Sequence, residues 1–230
     1  MPTLNRSRHA VFRLRILALL LLAATLQPLV GPTAAAGQAT GLPDNVLQAS
    51  VRIVTHIEVV PDDGDEDPFP CMLDEETMFE AGIGSGTIIS KDGYILTNHH
   101  VANIGPIPDE VRAYCEDQAP RGRGTATLTR IVWVPDAKGN PVEPYRSELV
   151  RDSSAVEDLA VLRITEHADG SRVNTQRDPF PFVRFGDSDA LREPERVILI
   201  GYLANAGTSR RVSEGIFSGW GDNGYGVPWI

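Results

Sequence analysis

From Ser50 to Ile57 (SVRIVTHI) polar and apolar side chains alternate with a period near two. That period is the mark of a strand with one face in the core and one in water. A second β-rich run, Gly84 to Ser90, gives way to Lys91-Asp92-Gly93 and then to Tyr94-Ile95-Leu96-Thr97. An Asp-Gly turn between two such runs predicts a hairpin. Further runs at Thr125 to Val134, Leu159 to Ile164, Arg196 to Ile200 and Val212 to Trp220 are short, β-branched and separated by Gly, Pro, Asn and Asp. No amphipathic helix of ten or more residues competes with them. The expected fold class is therefore all-β, a sandwich or barrel, without the βαβ alternation of a nucleotide-binding domain. Gly82-Ile83-Gly84-Ser85-Gly86 is accordingly no dinucleotide fingerprint, because its glycines are wrongly spaced and it leads into a strand.

The first 36 residues follow another pattern. Arg6, Arg8, Arg13 and Arg15 precede an almost wholly apolar run, Ile16 to Leu26, which is followed by Pro28, Gly31, Pro32 and the small-residue stretch Ala34-Ala35-Ala36. These are the three parts of a secretory leader, with cleavage expected after Ala36. The apolar run is shorter than the roughly 20 residues that a spanning helix needs. Gly37 to Gln48 is read as a flexible mature N-terminus. The chain is thus expected to be exported to the periplasm, cell envelope or medium, with no stable membrane span after cleavage.

Composition narrows the partners. The hydrophobic share is 42% and the charged share 23%, those of an ordinary globular protein. Without the leader, 17 basic residues face 31 acidic ones, a net charge near −14. Such a surface disfavours nucleic acid and other polyanions. The acidic stretch Asp62 to Asp67 lacks the ligand spacing and closing glutamate of a calcium loop, so it is read as solvated. No metal or cofactor is expected. Export would bring Cys71 and Cys115 into an oxidising compartment, where a disulfide between them and a pair of buried thiols are both open.

Two segments carry candidate chemistry. Thr97-Asn98-His99-His100-Val101 follows the predicted hairpin, where a histidine can be held firmly yet face a cleft, with a near-neutral pKa suited to moving protons. Glu157-Asp158-Leu159-Ala160-Val161-Leu162 sets a carboxylate at the head of an apolar strand. An imidazole N–H would satisfy that carboxylate and would fix the tautomer that leaves the other ring nitrogen free as a base. Asp152 is the rival carboxylate, but no apolar strand follows it.

Gly84 to Ile89, Gly93 to Asn98, His100-Val101 and Asp158 to Leu162 together resemble the trypsin-like serine proteases, and within them the bacterial HtrA/Deg branch. Phe185 to Asp189, Val197 to Gly201 and Gly215 to Ser218 are similar to later segments of that branch, in the same order. The resemblance implies two six-stranded β-barrels. The first, residues 49–175, would hold the general base His100 and its orienting partner Asp158, with His99 as a neighbour. Residues 176–230 would be an inter-barrel linker and a second barrel only partly present. It implies a serine endopeptidase acting on protein or peptide substrates.

The serine itself is not found. No Gly-Asn-Ser-Gly-Gly or Gly-Asp-Ser-Gly-Gly turn occurs. Ser188, in Gly186-Asp187-Ser188-Asp189, has Asp189 and Ala190 where glycines would let backbone amides converge on an oxyanion. It also precedes the first expected strand of the second barrel. Ser85 reads as a tight-packing position. The sequence is therefore expected to be a portion of a serine endopeptidase that lacks the nucleophile. The alternative is a non-catalytic, protease-like binding domain.

Overall fold

The computed structural model describes residues 41–230 apart from 63–66, 75–76, 104, 137, 139, 151–152, 203–207, 223–227 and 230. The expected leader, the centre of the acidic loop and Asp152 lie outside the described residues. In chain order the elements are α1 (Asp44–Ala49), β1 (Ser50–Pro61), β2 (Phe69–Pro70), β3 (Glu80–Ile88), β4 (Tyr94–Thr97), α2 (His99–Ala102), α3 (Asp109–Glu116), β5 (Gly124–Pro135), β6 (Pro141–Leu149) and β7 (Ala160–His167). They continue with β8 (Arg196–Tyr202), β9 (Arg210–Ile216), β10 (Gly221–Asp222) and β11 (Pro228–Trp229).

Six antiparallel strands close into a barrel in the order β1-β3-β4-β7-β6-β5, and β5 returns to β1 from Arg52↔Trp133 to Pro61↔Gly124. Closure removes the free edges that would otherwise template aggregation. β2 takes the edge of β1 beyond the end of β3, through Glu58↔Pro70 and Val59↔Phe69. The expected hairpin is β3–β4, with Ile88 opposite Ile95 and Gly93 at φ 80° in the turn, a conformation that glycine adopts without steric cost. β8 and β9 form one further hairpin and β10 and β11 another, the part of a second barrel that is present.

Two apolar clusters hold this together. Val51, Ile53, Ile88, Ile95, Val132 and Leu162 fill the barrel, where each fully buried aliphatic side chain contributes about 1.5–3 kcal/mol. Ile57, Val59, Ile107, Ala119 and Ala126 pack around Cys71 and Cys115 beneath α3. Those cysteines form a disulfide with Cα atoms 5.3 Å apart, which settles the open choice in favour of the bridge.

Three local features depart from what the sequence pattern predicts. Residues 44–48 are not a loose arm, since α1 occupies them, starts after Pro43 and delivers the buried Ala49 to the barrel. β1 is buried on both faces rather than one, because polar side chains on its outer face are themselves covered. Glu58 is held there by Nη1 and Nη2 of Arg146, at 2.7 and 2.9 Å, and by the Thr129 hydroxyl at 2.9 Å. β6 was missed, because Pro141-Val142-Glu143-Pro144 gives a poor strand signature. Among the described residues no helix is long and apolar enough to cross a membrane.

Candidate active site

The site is built on α2, a single helical turn between β4 and the loop to α3. β3 passes under α2 with glycines at positions 82 and 84, whose spacing puts both on one strand face. A Cβ at Gly82 would fall 2.7 Å from the Val101 carbonyl oxygen, and one at Gly84 would collide with Val101 Cγ2. The glycines that looked like a failed nucleotide motif are therefore clearance for the turn. From the barrel interior the Thr55 hydroxyl donates to the Val101 carbonyl at 2.7 Å, and Arg130 Nε donates to the Ala102 carbonyl at 2.5 Å. The carbonyls at the end of α2 are thus satisfied by the barrel, which fixes the direction of the turn.

Asp158 reaches the same place from the other side. Ser154 and Leu159 exchange backbone hydrogen bonds of 2.8 and 3.0 Å, closing a tight loop over residues 155–158. Asp158 sits at φ 50° at its end, a left-handed conformation that aspartate tolerates better than most side chains. Asn103 Nδ2 donates to Ser153 Oγ at 2.9 Å and ties this loop to the end of α2.

His100 and Asp158, 58 positions apart, meet directly. Nδ1 of His100 lies 2.8 Å from Asp158 Oδ2 and 3.0 Å from Oδ1, and the His100 amide donates to Oδ1 at 3.1 Å. Asn98 Nδ2 donates to Asp158 Oδ2 at 3.1 Å and to the Asp158 carbonyl at 3.2 Å. Partial burial pushes the Asp158 carboxyl up. The hydrogen bonds from the His100 amide and ring, with the Asn98 amide, outweigh that burial and hold it below the ordinary carboxylate value. Because a carboxylate only accepts, the proton on the paired ring nitrogen belongs to Nδ1 and the lone pair to Nε2. Among the described residues no hydrogen bond reaches Nε2, and the His100 side chain is 68% exposed against 31% for Asp158. The arrangement can accept a proton at Nε2 and stabilise the resulting imidazolium.

The remaining candidates fall outside this constellation. Ser85 Oγ accepts from the Tyr202 amide at 2.6 Å and donates to the Tyr202 carbonyl at 3.1 Å. Its hydroxyl joins β3 to β8 and is committed there. Ser188 opens an exposed 3₁₀ turn, where Asp187 accepts from the Asp189 amide and the Ser188 carbonyl accepts from Leu191. The amides of Asp189 and Ala190 that follow it are both spent on Asp187, through its side chain and its carbonyl. The His99 ring has a buried Nδ1 without a hydrogen-bond partner, and its carbonyl accepts from Asn103 at 2.8 Å, so it packs beside the pair without joining it. Sequence reasoning missed Asn98, which stood in the motif without a role. Its position just before the histidine turn was the available signal.

The family model of the trypsin-like peptidase domain matches residues 84–229. A stretch of 206 residues, 85% of this chain, is 27% identical to the magnetosome formation protease MamE of Paramagnetospirillum magneticum AMB-1. Another of 143 residues, 61% of the chain, is 32% identical to the serine protease Do-like HtrA of Bacillus subtilis 168. Each match spans 23% of the relative's own length.

Proposed function

We propose that this chain, which belongs to the trypsin-like peptidase family and resembles its HtrA branch, supplies the general base His100 and the orienting carboxylate Asp158 of a serine endopeptidase that cleaves protein substrates. The observation that carries the reading is the pairing of His100 Nδ1 with both Asp158 oxygens while Nε2 stays open. In that role Nε2 takes the proton of a serine hydroxyl as its oxygen attacks the scissile carbonyl, then returns it to the departing amine. Asp158 holds the tautomer and stays ionised throughout. Neither Ser85 nor Ser188 fits the nucleophile, so this reading assigns the attacking serine and its oxyanion donors to neither of those segments. The leader pattern of residues 1–36 supports export, and the acidic surface supports protein rather than polyanion partners.

The test is turnover of an unfolded protein by the product of the complete coding region, beside His100→Ala and Asp158→Asn. Loss of about 10³-fold or more in kcat for each variant, with unchanged folding by circular dichroism, is the expected result. Undiminished hydrolysis in His100→Ala would sink the assignment. Tight binding of unfolded protein without cleavage, equal in all three proteins, would establish the binding-domain alternative.

A further inference from the structure

Five buried side-chain polar atoms among the described residues lack a hydrogen-bond partner, and three of them, Ser50 Oγ, Arg52 Nε and Tyr202 Oη, belong to one seam. Ser50 and Arg52 are two residues apart on β1 and so share its face. Arg52 is opposite Ser85 in the β1–β3 register, and the Ser85 hydroxyl grips both backbone groups of Tyr202 on β8. Tyr202 is opposite Arg210 across the β8–β9 hairpin. Arg210 Nη1 donates to the Leu47 carbonyl at 2.8 Å, which leads back to the residues just before Ser50. The contacts thus close a ring around the place where the first barrel meets β8 and β9.

The chemistry of that ring is one-sided. Ser50 is 4% exposed and Tyr202 3%, so neither hydroxyl has water to fall back on. The arginine ion pairs among the described residues are Arg146–Glu58, Arg177–Asp178 and Arg196–Glu214, and neither Arg52 nor Arg210 takes part in one. Burial raises the Tyr202 hydroxyl pKa, and the charges of Arg210 and Arg52 both act on it in opposition. In a chain with a large excess of acids, two guanidinium groups are gathered here, and among the described residues neither forms an ion pair with a carboxylate. Every orphaned group can donate. A water molecule would satisfy the hydroxyls and leave both charges uncompensated, whereas a tetrahedral oxyanion offers lone pairs in several directions together with the missing charge.

We propose that this seam binds a small oxyanion of the phosphate type, held by Arg52, Arg210 and the hydroxyls of Ser50 and Tyr202, and that the bound ion braces the α1–β1 end of the barrel against β8 and β9. The site is independent of the peptidase reading and uses none of its residues. It is tested by titrating the full chain with inorganic phosphate, against sodium chloride at equal ionic strength, by calorimetry and ³¹P line broadening. One saturable site per chain is expected, weakened about tenfold or more in Arg52→Gln and in Arg210→Gln. Tyr202→Phe, which keeps the ring and loses only the hydroxyl, weakens it several-fold. Arg211→Gln, the exposed neighbour on the opposite face of β9, binds as the unaltered protein does. Absence of saturable phosphate binding, tighter binding of acetate than of phosphate, or unchanged affinity in both arginine variants would overturn the proposal.

Discussion

Gly84→Ala tests how firmly the barrel sets the histidine turn. The added methyl collides with Val101 Cγ2 and lies 3.2 Å from Cγ1. Val101 has little room to yield. It is 2% exposed, it is β-branched, and its carbonyl is held by Thr55 at 2.7 Å. Overpacking a core position costs about 1–3 kcal/mol, while replacing a strand glycine returns about 0.5–1 kcal/mol of backbone entropy. Taken at mid-range, the two terms leave a net loss of about 1 kcal/mol. Val101→Ala alone removes two buried carbons and costs about 2 kcal/mol through lost burial and the cavity left behind. Combined, the alanine at 84 occupies space vacated at 101, so the double variant should be more stable than the sum of the singles by about 1 kcal/mol or more. Equilibrium urea unfolding of the four proteins measures this. Gly186→Ala is the control, because a Cβ there meets nothing within 4 Å. In parallel, the His100 Nδ1 proton resonance should broaden in Gly84→Ala and recover in the double variant. A Gly84→Ala protein as stable as the original, or an additive cycle, would refute the claim that steric clearance positions α2.

Two further outcomes follow from features away from the site. Replacing both Cys71 and Cys115 by alanine opens a loop with a sequence separation of 44, which on chain entropy should cost about 4 kcal/mol. A thermal midpoint within a degree of the original would show that α3 docks without the bridge. The second concerns acid. Burial lowers the His56 pKa below 6.5, with Glu58 opposing and Arg146 assisting; for Glu58, burial raises the pKa but the Arg146 and Thr129 hydrogen bonds outweigh it and hold it below 4.5. For both groups the unfolded chain binds more protons than the folded one between the two pKa values, so stability falls with falling pH, first below 6.5 and further below 4.5. His56→Phe should flatten the urea-midpoint profile between about pH 7 and 5, and an unchanged slope would show that another group carries the dependence.

The β elements were legible wherever alternation and turn chemistry spoke together, as at Gly84 to Thr97, where β-branched runs flank an Asp-Gly turn. They were illegible where packing overrode pattern. β1 reads as half-solvated because Thr55, His56 and Glu58 are polar, yet all three are buried. Their partners, the Val101 carbonyl for Thr55 and Arg146 and Thr129 for Glu58, come from segments 46, 88 and 71 positions away. Nothing local announces such compensation. α1 is six residues long, too short for a helical period to register, and Pro43 before it looks as much like a loop as a helix start.

At the site, legibility divides along the same line. His100 and Asp158 carry chemistry that few residue types can perform, so each stands out, and family resemblance joins them across 58 positions. The residues that aim them are of ordinary kinds. Thr55 and Arg130 look like strand residues, Asn98 like a turn residue, and Gly82 and Gly84 like a broken nucleotide motif until Val101 is seen lying on them. Ser85 shows the converse error that such reasoning invites. A serine between glycines near a candidate general base attracts attention as a nucleophile, but both hydrogen-bonding functions of its hydroxyl are spent on the Tyr202 backbone. A hydroxyl that must break two good hydrogen bonds before it can attack is poorly placed for catalysis and well placed to hold β8 against β3. Under the proposed reading the nucleophile should therefore be sought where a serine hydroxyl has no structural duty and lies within reach of His100 Nε2.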